Sequence, residues 1–295
     1  MSGARLRIRD IQTFERPMRF ARPFRFGLVT VDEAPQAFVR VEVEVEGAGV
    51  ATGITAEMMM PKWFDKNPAK TPHDTIGDLK ASLGAAARIY AEDKGWDTAF
   101  GHHARAFAAQ TAWAAEKGLP GLVASYGPAL IDKAVADGLL KALKITFAEG
   151  LRRNDFGIDA RQTPDLSEER IRTFLADIRP VGEVRLRHTI GMLDALEGEG
   201  SLADEIAHAR LELFKIKIGG DVDADIARLQ AIHALLSRQV PDYRATLDAN
   251  EQYDPERLQA LLQAMSGGVL RAFRERLLYI EQPFDRAGIA VLARS

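Results

Sequence analysis

Residues 214–221 read FKIKIGGD. The run has the look of a short buried strand, yet it carries Lys215 and Lys217 two positions apart. Side chains alternate between the faces of a strand, so both lysines point the same way. Lysine is among the residues least often buried, and two of them on one face of such a strand ask for a reason.

The surrounding rhythm supplies a context. VRLRHTIG (184–191) reads as a strand, and SLADEIAHARLEL (201–213) as a helix with Ser201 as N-cap and acidic residues in its first turn. After FKIKIGG, residues 221–238 (DVDADIARLQAIHALLSR) read as a helix and RATLDANEQ (244–252) as a strand. DPERLQALLQAM (254–265) is a helix with Asp254 as N-cap and Pro255 at its first position, and RLLYIEQPF (276–284) is a further strand. The order is β-α-β-α-β-α-β. From His188 to Lys217 is 29 residues, from Lys217 to Asp248 is 31, and from Asp248 to Glu281 is 33. A βα repeat of roughly 30 residues suits a (β/α)₈ barrel of about 250 residues. An open doubly wound sheet shares the rhythm, but no G-x-G-x-x-G or P-loop pattern follows any strand.

The N-terminal half has a different texture. RLRIRDIQTFERP (5–17) and AFVRVEVEVEG (37–47) alternate with period 2, and Val39, Val41, Val43 and Val45 share one face. EGAGVATGITAE (46–57) continues as a turn and a third strand. From about Pro72 to Lys144 the period becomes helical, with three alanine-rich helices. We therefore expect an α+β domain over 1–150, a β-meander plus helices, and a partial (β/α) TIM-type barrel of about four βα units over 151–295.

Composition narrows the function. The 295 residues are 46% hydrophobic and 27% charged with a net charge of −3, so the chain is an ordinary globular sequence without the basic footprint of a nucleic-acid binder. The absence of cysteine removes disulfides, thiol nucleophiles and thiolate metal sites. No apolar run approaches the roughly 20 residues of a membrane helix, and the N-terminus lacks a signal-peptide core. A cytoplasmic small-molecule enzyme or binding protein is expected, without nucleic-acid or membrane partners.

Polar groups gather at three successive strand ends: Lys215 and Lys217, then Asp248 and Asn250, then Glu281 and Gln282. In α/β barrels these positions build the active site. Asp248 and Glu281 are hard oxygen donors suited to Mg²⁺. A desolvated lysine beside another cation has a lowered pKa and can serve as a general base, with Lys217 in that role and Lys215 as its electrostatic partner. The plainer reading makes the lysines solvated edge residues and the carboxylates caps or turn residues. Repetition in three units favours a site.

FKIKIG, TLDANEQYD and YIEQPF, in this order and spacing, resemble the enolase superfamily in its mandelate-racemase and muconate-lactonizing branch. The resemblance covers most of the chain and makes the N-terminal region a capping domain. It implies an isomerase or lyase that, with Mg²⁺, abstracts a proton alpha to a carboxylate and stabilises the enediolate, as a racemase, epimerase, cycloisomerase or dehydratase. Lys215 and Lys217 match the K-x-K motif, Asp248 and Glu281 the first two metal ligands, and Asn250 the polar position beside the first. Gln282, Arg25 and His188 are candidate supporting or substrate-binding residues. Capping loops around 19–30, with Arg16, Arg19, Arg22 and Arg25, and around 55–64, with Met58, Met59, Met60 and Trp63, would face a small carboxylate substrate or be surface and packing elements. His102 and His103 are expected to be surface residues. A homo-oligomer is the expected assembly.

The pattern also departs from the family. Four strands are half a barrel, so a C-terminally truncated member is expected, with the third metal ligand and the opposing acid/base outside the chain. On that expectation these 295 residues have little or no turnover. The competing reading is a non-catalytic remnant of the same fold that binds a metabolite or a partner.

Overall fold

The computed structural model describes residues 3–26 and 29–286. They form two compact units, the first built from residues up to Arg19 and from Glu33–Val181, the second from Phe20–Asp32 and from Gly182 onward.

The first unit is organised by a three-stranded sheet, β1 (Leu6–Phe26), β2 (Val29–Val45) and β3 (Gly49–Met58), in the order β1-β2-β3. β2 and β3 pair antiparallel from Gln36↔Met58 to Val45↔Gly49. The valine stripe of β2 is fully enclosed, while Glu44 on its other face pairs with Arg7 of β1 at 2.6 Å. Pro17 and Pro23 sit in β1, an edge strand, the position in a sheet that tolerates proline. Residues 19–26 therefore belong to an extended strand rather than to the loop expected there; Gly27 and Leu28 lie outside the described residues.

Three helices cover the sheet: α1 (Pro72–Glu92), α2 (Ala99–Glu116) and α3 (Gly121–Leu143). Thr71 and Asp74 close a capping box at the start of α1. α3 lies hard against β3 because Gly53 has no side chain: a Cβ there would stand 1.8 Å from the Ala134 carbonyl oxygen. Two further helices, α4 (Phe147–Arg153) and α5 (Glu168–Asp177), were not anticipated. They are short and mostly exposed, and their signals are local: a Thr146–Glu149 capping box and a Ser167 cap.

The second unit alternates strand and helix: β4 (Arg187–Ile190), α6 (Leu202–Ala209), β5 (Leu213–Lys217), α7 (Val222–Gln239), β6 (Arg244–Asp248), α8 (Pro255–Ala264), α9 (Leu270–Arg274) and β7 (Leu277–Glu281). The four strands are parallel and adjacent in sequence order. Ser201, Asp221 and Asp254 cap α6, α7 and α8 with their side chains. Phe214 and Ile216 of β5 pack with Leu229, Ile232 and Leu236 of α7 and with Tyr243 and Leu247 in a second core, all buried. The architecture is thus an α+β unit followed by a unit whose described residues form four parallel strands joined by helices, the pattern of a partial α/β barrel.

Candidate active site

The opposite face of β5 carries Lys215 and Lys217, which the period-2 alternation places away from Phe214 and Ile216. Register then aligns three strand ends. Lys217 lies opposite Asp248, and Asp248 opposite Glu281. Lys217 Nζ donates to Asp248 Oδ2 at 2.6 Å and to Asn250 Oδ1 at 2.7 Å. Lys215 Nζ reaches the same Asp248 oxygen at 2.6 Å and also contacts Glu281 Oε1. Lys217 and Asp248 are 2% and 0% exposed, so this pair is removed from water, whereas Lys215 and Glu281 are partly exposed.

The two lysines differ electrostatically. Burial lowers the pKa of Lys217 and the charge of Lys215 adds to this, outweighing the attraction of Asp248. Burial also pulls on Lys215, but its hydrogen bonds to Asp248 and Glu281 prevail and raise its pKa. The carboxylates thus hold Lys215 as a firm ammonium, and of the two lysines only Lys217 is depressed. Burial opposes ionisation of Asp248, yet the two ammonium groups and the Asn250 N–H hold its pKa down at about 2.

The backbone beyond the strands is conformationally costly. Asn250, Glu251 and Gln282 all have positive φ, at 46°, 68° and 48°. Such left-handed non-glycine residues are uncommon and collect at functional sites. They are held by Asn250 N–H to Asp248 Oδ1 at 3.0 Å, Glu251 N–H to the Gln282 carbonyl at 2.7 Å, and Asn250 Nδ2 to Gln282 Oε1 at 3.4 Å. Gly220 has φ 88°, and a Cβ there would lie 2.4 Å from the Gln252 carbonyl oxygen. The second glycine of the GGD turn thus permits close approach of the loops after β5 and β6.

Lys215, Lys217, Asp248, Asn250, Glu281 and Gln282 therefore come together. His188 stands apart in its contacts: its ring meets Phe214 edge-on at 6.4 Å, and Nε2 lies 2.9 Å from Glu205 Oε2 without hydrogen-bond alignment. Arg22 donates to the Gly200 carbonyl and to Glu205, at 3.0 and 3.1 Å, and Arg25 is half-buried. Met59 is enclosed in the core of the first unit. His102 is 1% exposed, not a surface residue: it bridges Asp93 and the Leu6 carbonyl, at 2.9 and 3.1 Å. His103 is tied to Asp132 at 2.6 Å. Both lie at the start of α2, where a tertiary contact rather than helix position decides burial.

One residue of the cluster escaped the sequence reading. Arg187 of β4 donates to Tyr279 OH at 2.8 Å and to Thr246 Oγ1 at 3.1 Å, and lies 3.6 Å from Glu281 Oε2. Its signal was the alternation of Arg185 and Arg187 beside His188.

Asp248 and Glu281 direct oxygens at one point, where Lys215 Nζ sits. Two hard carboxylates around a cationic position fit Mg²⁺, which is often held by one or two protein carboxylates and keeps several waters. Among the described residues no group of three His, Cys, Asp or Glu side chains is placed to hold a metal.

Comparison with known proteins follows the same line. Residues 200–295 match the family described as Enolase C-terminal domain-like. That segment is enolase-like. The chain as a whole resembles, in its fold, solved structures described as mandelate racemase/muconate lactonizing proteins. One is an enolase from Bradyrhizobium complexed with magnesium and mandelic acid (20% identity, TM-score 0.59, 97% of this chain and 63% of that one). Another is a muconate lactonizing enzyme from Pseudomonas fluorescens complexed with muconolactone (19%, 0.59, 98% and 63%). A third is a dipeptide epimerase from Enterococcus faecalis complexed with Mg and the dipeptide L-Leu-L-Tyr (18%, 0.59, 96% and 63%). At these identities the likeness establishes the fold. The chain spans about 63% of the length of these structures. No curated protein sequence matches it significantly. No helix among the described residues is long and apolar enough to cross a membrane.

Proposed function

We propose that the row Lys217–Asp248–Glu281 is the base-bearing half of a site that abstracts a proton alpha to a carboxylate. The observation that carries this reading is the contrast between two lysines on one face. Lys217 is buried with a lowered pKa, and Lys215 is held protonated between two carboxylates. A neutral amine at Lys217 accepts the proton from carbon; the standing charge of Lys215 faces the negative charge that develops on the substrate. Asn250, through its Oδ1, orients Lys217 Nζ.

Mg²⁺ is the proposed cofactor, with Asp248 and Glu281 as its ligands. When bound it would supply positive charge against the substrate carboxylate. Among the described residues no third His, Cys, Asp or Glu side chain is grouped with them to hold the ion. Arg25, Gln282 and His188 remain proposed substrate-side groups. The substrate is proposed to be a small carboxylate, and the outcome a racemisation, epimerisation, cycloisomerisation or dehydration. The fold likeness to structures complexed with mandelic acid, muconolactone and a dipeptide supports that class.

The test is incorporation of solvent deuterium at the alpha carbon of chiral hydroxy acids and dipeptides, with and without Mg²⁺. Exchange that needs Mg²⁺ and disappears in Lys217→Ala supports the reading and overturns the expectation that these 295 residues have little or no turnover. Exchange that persists in Lys217→Ala removes Lys217 from the role of base. Mg²⁺-independent binding of these carboxylates without exchange would favour a non-catalytic binding protein.

A further inference from the structure

The loops that follow β5 and β6 are tied to one another by a side chain outside the cluster. Asp225, in the first turn of α7, is 5% exposed. Its carboxylate accepts from Gly219 N–H at 2.9 and 3.0 Å, from Gly220 N–H at 2.9 Å, and from Tyr253 OH at 2.6 Å. Gly219 and Gly220 follow Lys217 by two and three residues; Tyr253 follows Asn250 by three. Tyr253 N–H in turn donates to the Pro283 carbonyl at 2.9 Å, just beyond Glu281 and Gln282. One buried carboxylate thus joins the loops after the strands that carry Lys217 and Asp248, and the Tyr253 backbone N–H extends the tie to the segment after Glu281.

We propose that Asp225 is a positioning residue that locks the loop after β5 to the loop after β6 and so fixes Lys217 against Asp248 and Asn250. This rests on the proton-abstraction reading above. The chemistry requires a carboxylate. Three donors converge on two oxygens, and an amide in its place would offer one acceptor and turn an NH₂ group toward donors. The tie is charge-assisted and dry, the setting in which such bonds are strongest. It also accounts for Gly220, whose open backbone lets the two loops meet within the reach of one side chain.

The experiment uses Mn²⁺ alone as the probe, followed by electron paramagnetic resonance, together with the side-chain amide resonance of Asn250. Asp225→Asn and Tyr253→Phe are compared with wild type. Leu261→Ala, a core truncation in α8, serves as a control that lowers stability without touching the tie. Asp225→Asn is expected to weaken Mn²⁺ binding about tenfold, the scale of an outer hydrogen-bond partner, and Tyr253→Phe less. The double variant should be no worse than Asp225→Asn alone, because the Tyr253 bond is one of those the Asp225 carboxylate makes. The Asn250 amide should move in both variants and stay in Leu261→Ala.

If Mn²⁺ binding is lost in Asp248→Asn yet Asp225→Asn and Tyr253→Phe bind as wild type with Asn250 unmoved, the positioning role is overturned and the proposed function stands. If wild type binds no Mn²⁺, the proposed function fails. The Asn250 resonance then decides alone, a shift upholding the tie and no shift overturning it.

Discussion

Lys217 Nζ and Asp248 Oδ2 lie 2.6 Å apart at in-register positions of neighbouring strands, and both residues are shut off from water. Removing one partner of such a pair strands the other. Asp248→Ala takes the charged partner from the buried Lys217 ammonium, and is expected to cost about 3–5 kcal/mol of stability in urea unfolding. Glu281→Gln, whose side chain is partly exposed, is expected to cost at most about 1 kcal/mol.

The pH dependence of that pair has a definite sign. The folded pKa of Asp248 is depressed, to about 2, against about 3.9 for an unfolded aspartate. Its stabilising contribution is therefore complete above about pH 4, by that unfolded value, and is lost as pH falls through the folded one. Asp248→Asn should therefore show a flatter stability profile than wild type as pH falls from about 4 through the folded value, read by urea unfolding at a series of pH values; an unchanged slope would show that the linkage is absent.

The two lysines should titrate in a fixed order. Lys217 loses its proton below the ordinary lysine value and Lys215 above it. Nuclear magnetic resonance of the lysine Cε/Hε signals, assigned by Lys215→Arg and Lys217→Arg, reads the order. The reverse order would exchange the proposed roles of base and standing cation.

In the first unit, His103 has its pKa raised by its hydrogen bond to Asp132, against the opposing effect of burial. A raised folded value means that this contribution is full below the unfolded histidine value of about 6.5 and fades as pH rises through the folded one. Asp132→Asn should lower the His103 titration midpoint and flatten the stability profile of the unit across that window.

Gly220 tests the loop geometry. Its φ of 88° and the 2.4 Å approach of a Cβ to Gln252 O make any side chain both strained and obstructed. Gly220→Ala is expected to cost more than about 1–2 kcal/mol, the left-handed penalty alone, in thermal or urea unfolding.

The parts legible in the sequence were those set by local periodicity. The valine stripe of β2, the alternating lysines of β5 and the Asp254–Pro255 start of α8 each declare their element without help from distant residues. Asp248 and Glu281 were found because equivalent strand ends repeat. What stayed hidden depends on contacts across the chain. Asp225 looks like one more acidic first-turn residue until Gly219, Gly220 and Tyr253 are seen around it. Arg187 acquires meaning only from Glu281, 94 residues on, and His102 only from the Leu6 carbonyl, 96 residues back. The irregular pairing of β6 with β7, in which Ala245 faces Leu277 but Leu247 faces Ile280, leaves no local mark either.

The most direct test of the central claim is calorimetric titration of Mg²⁺ into wild type, Asp248→Asn and Glu281→Gln. The account predicts one Mg²⁺ per chain in wild type, with binding abolished in Asp248→Asn and weakened in Glu281→Gln. Mg²⁺ binding that is unchanged in both variants, or absent from wild type, would contradict it.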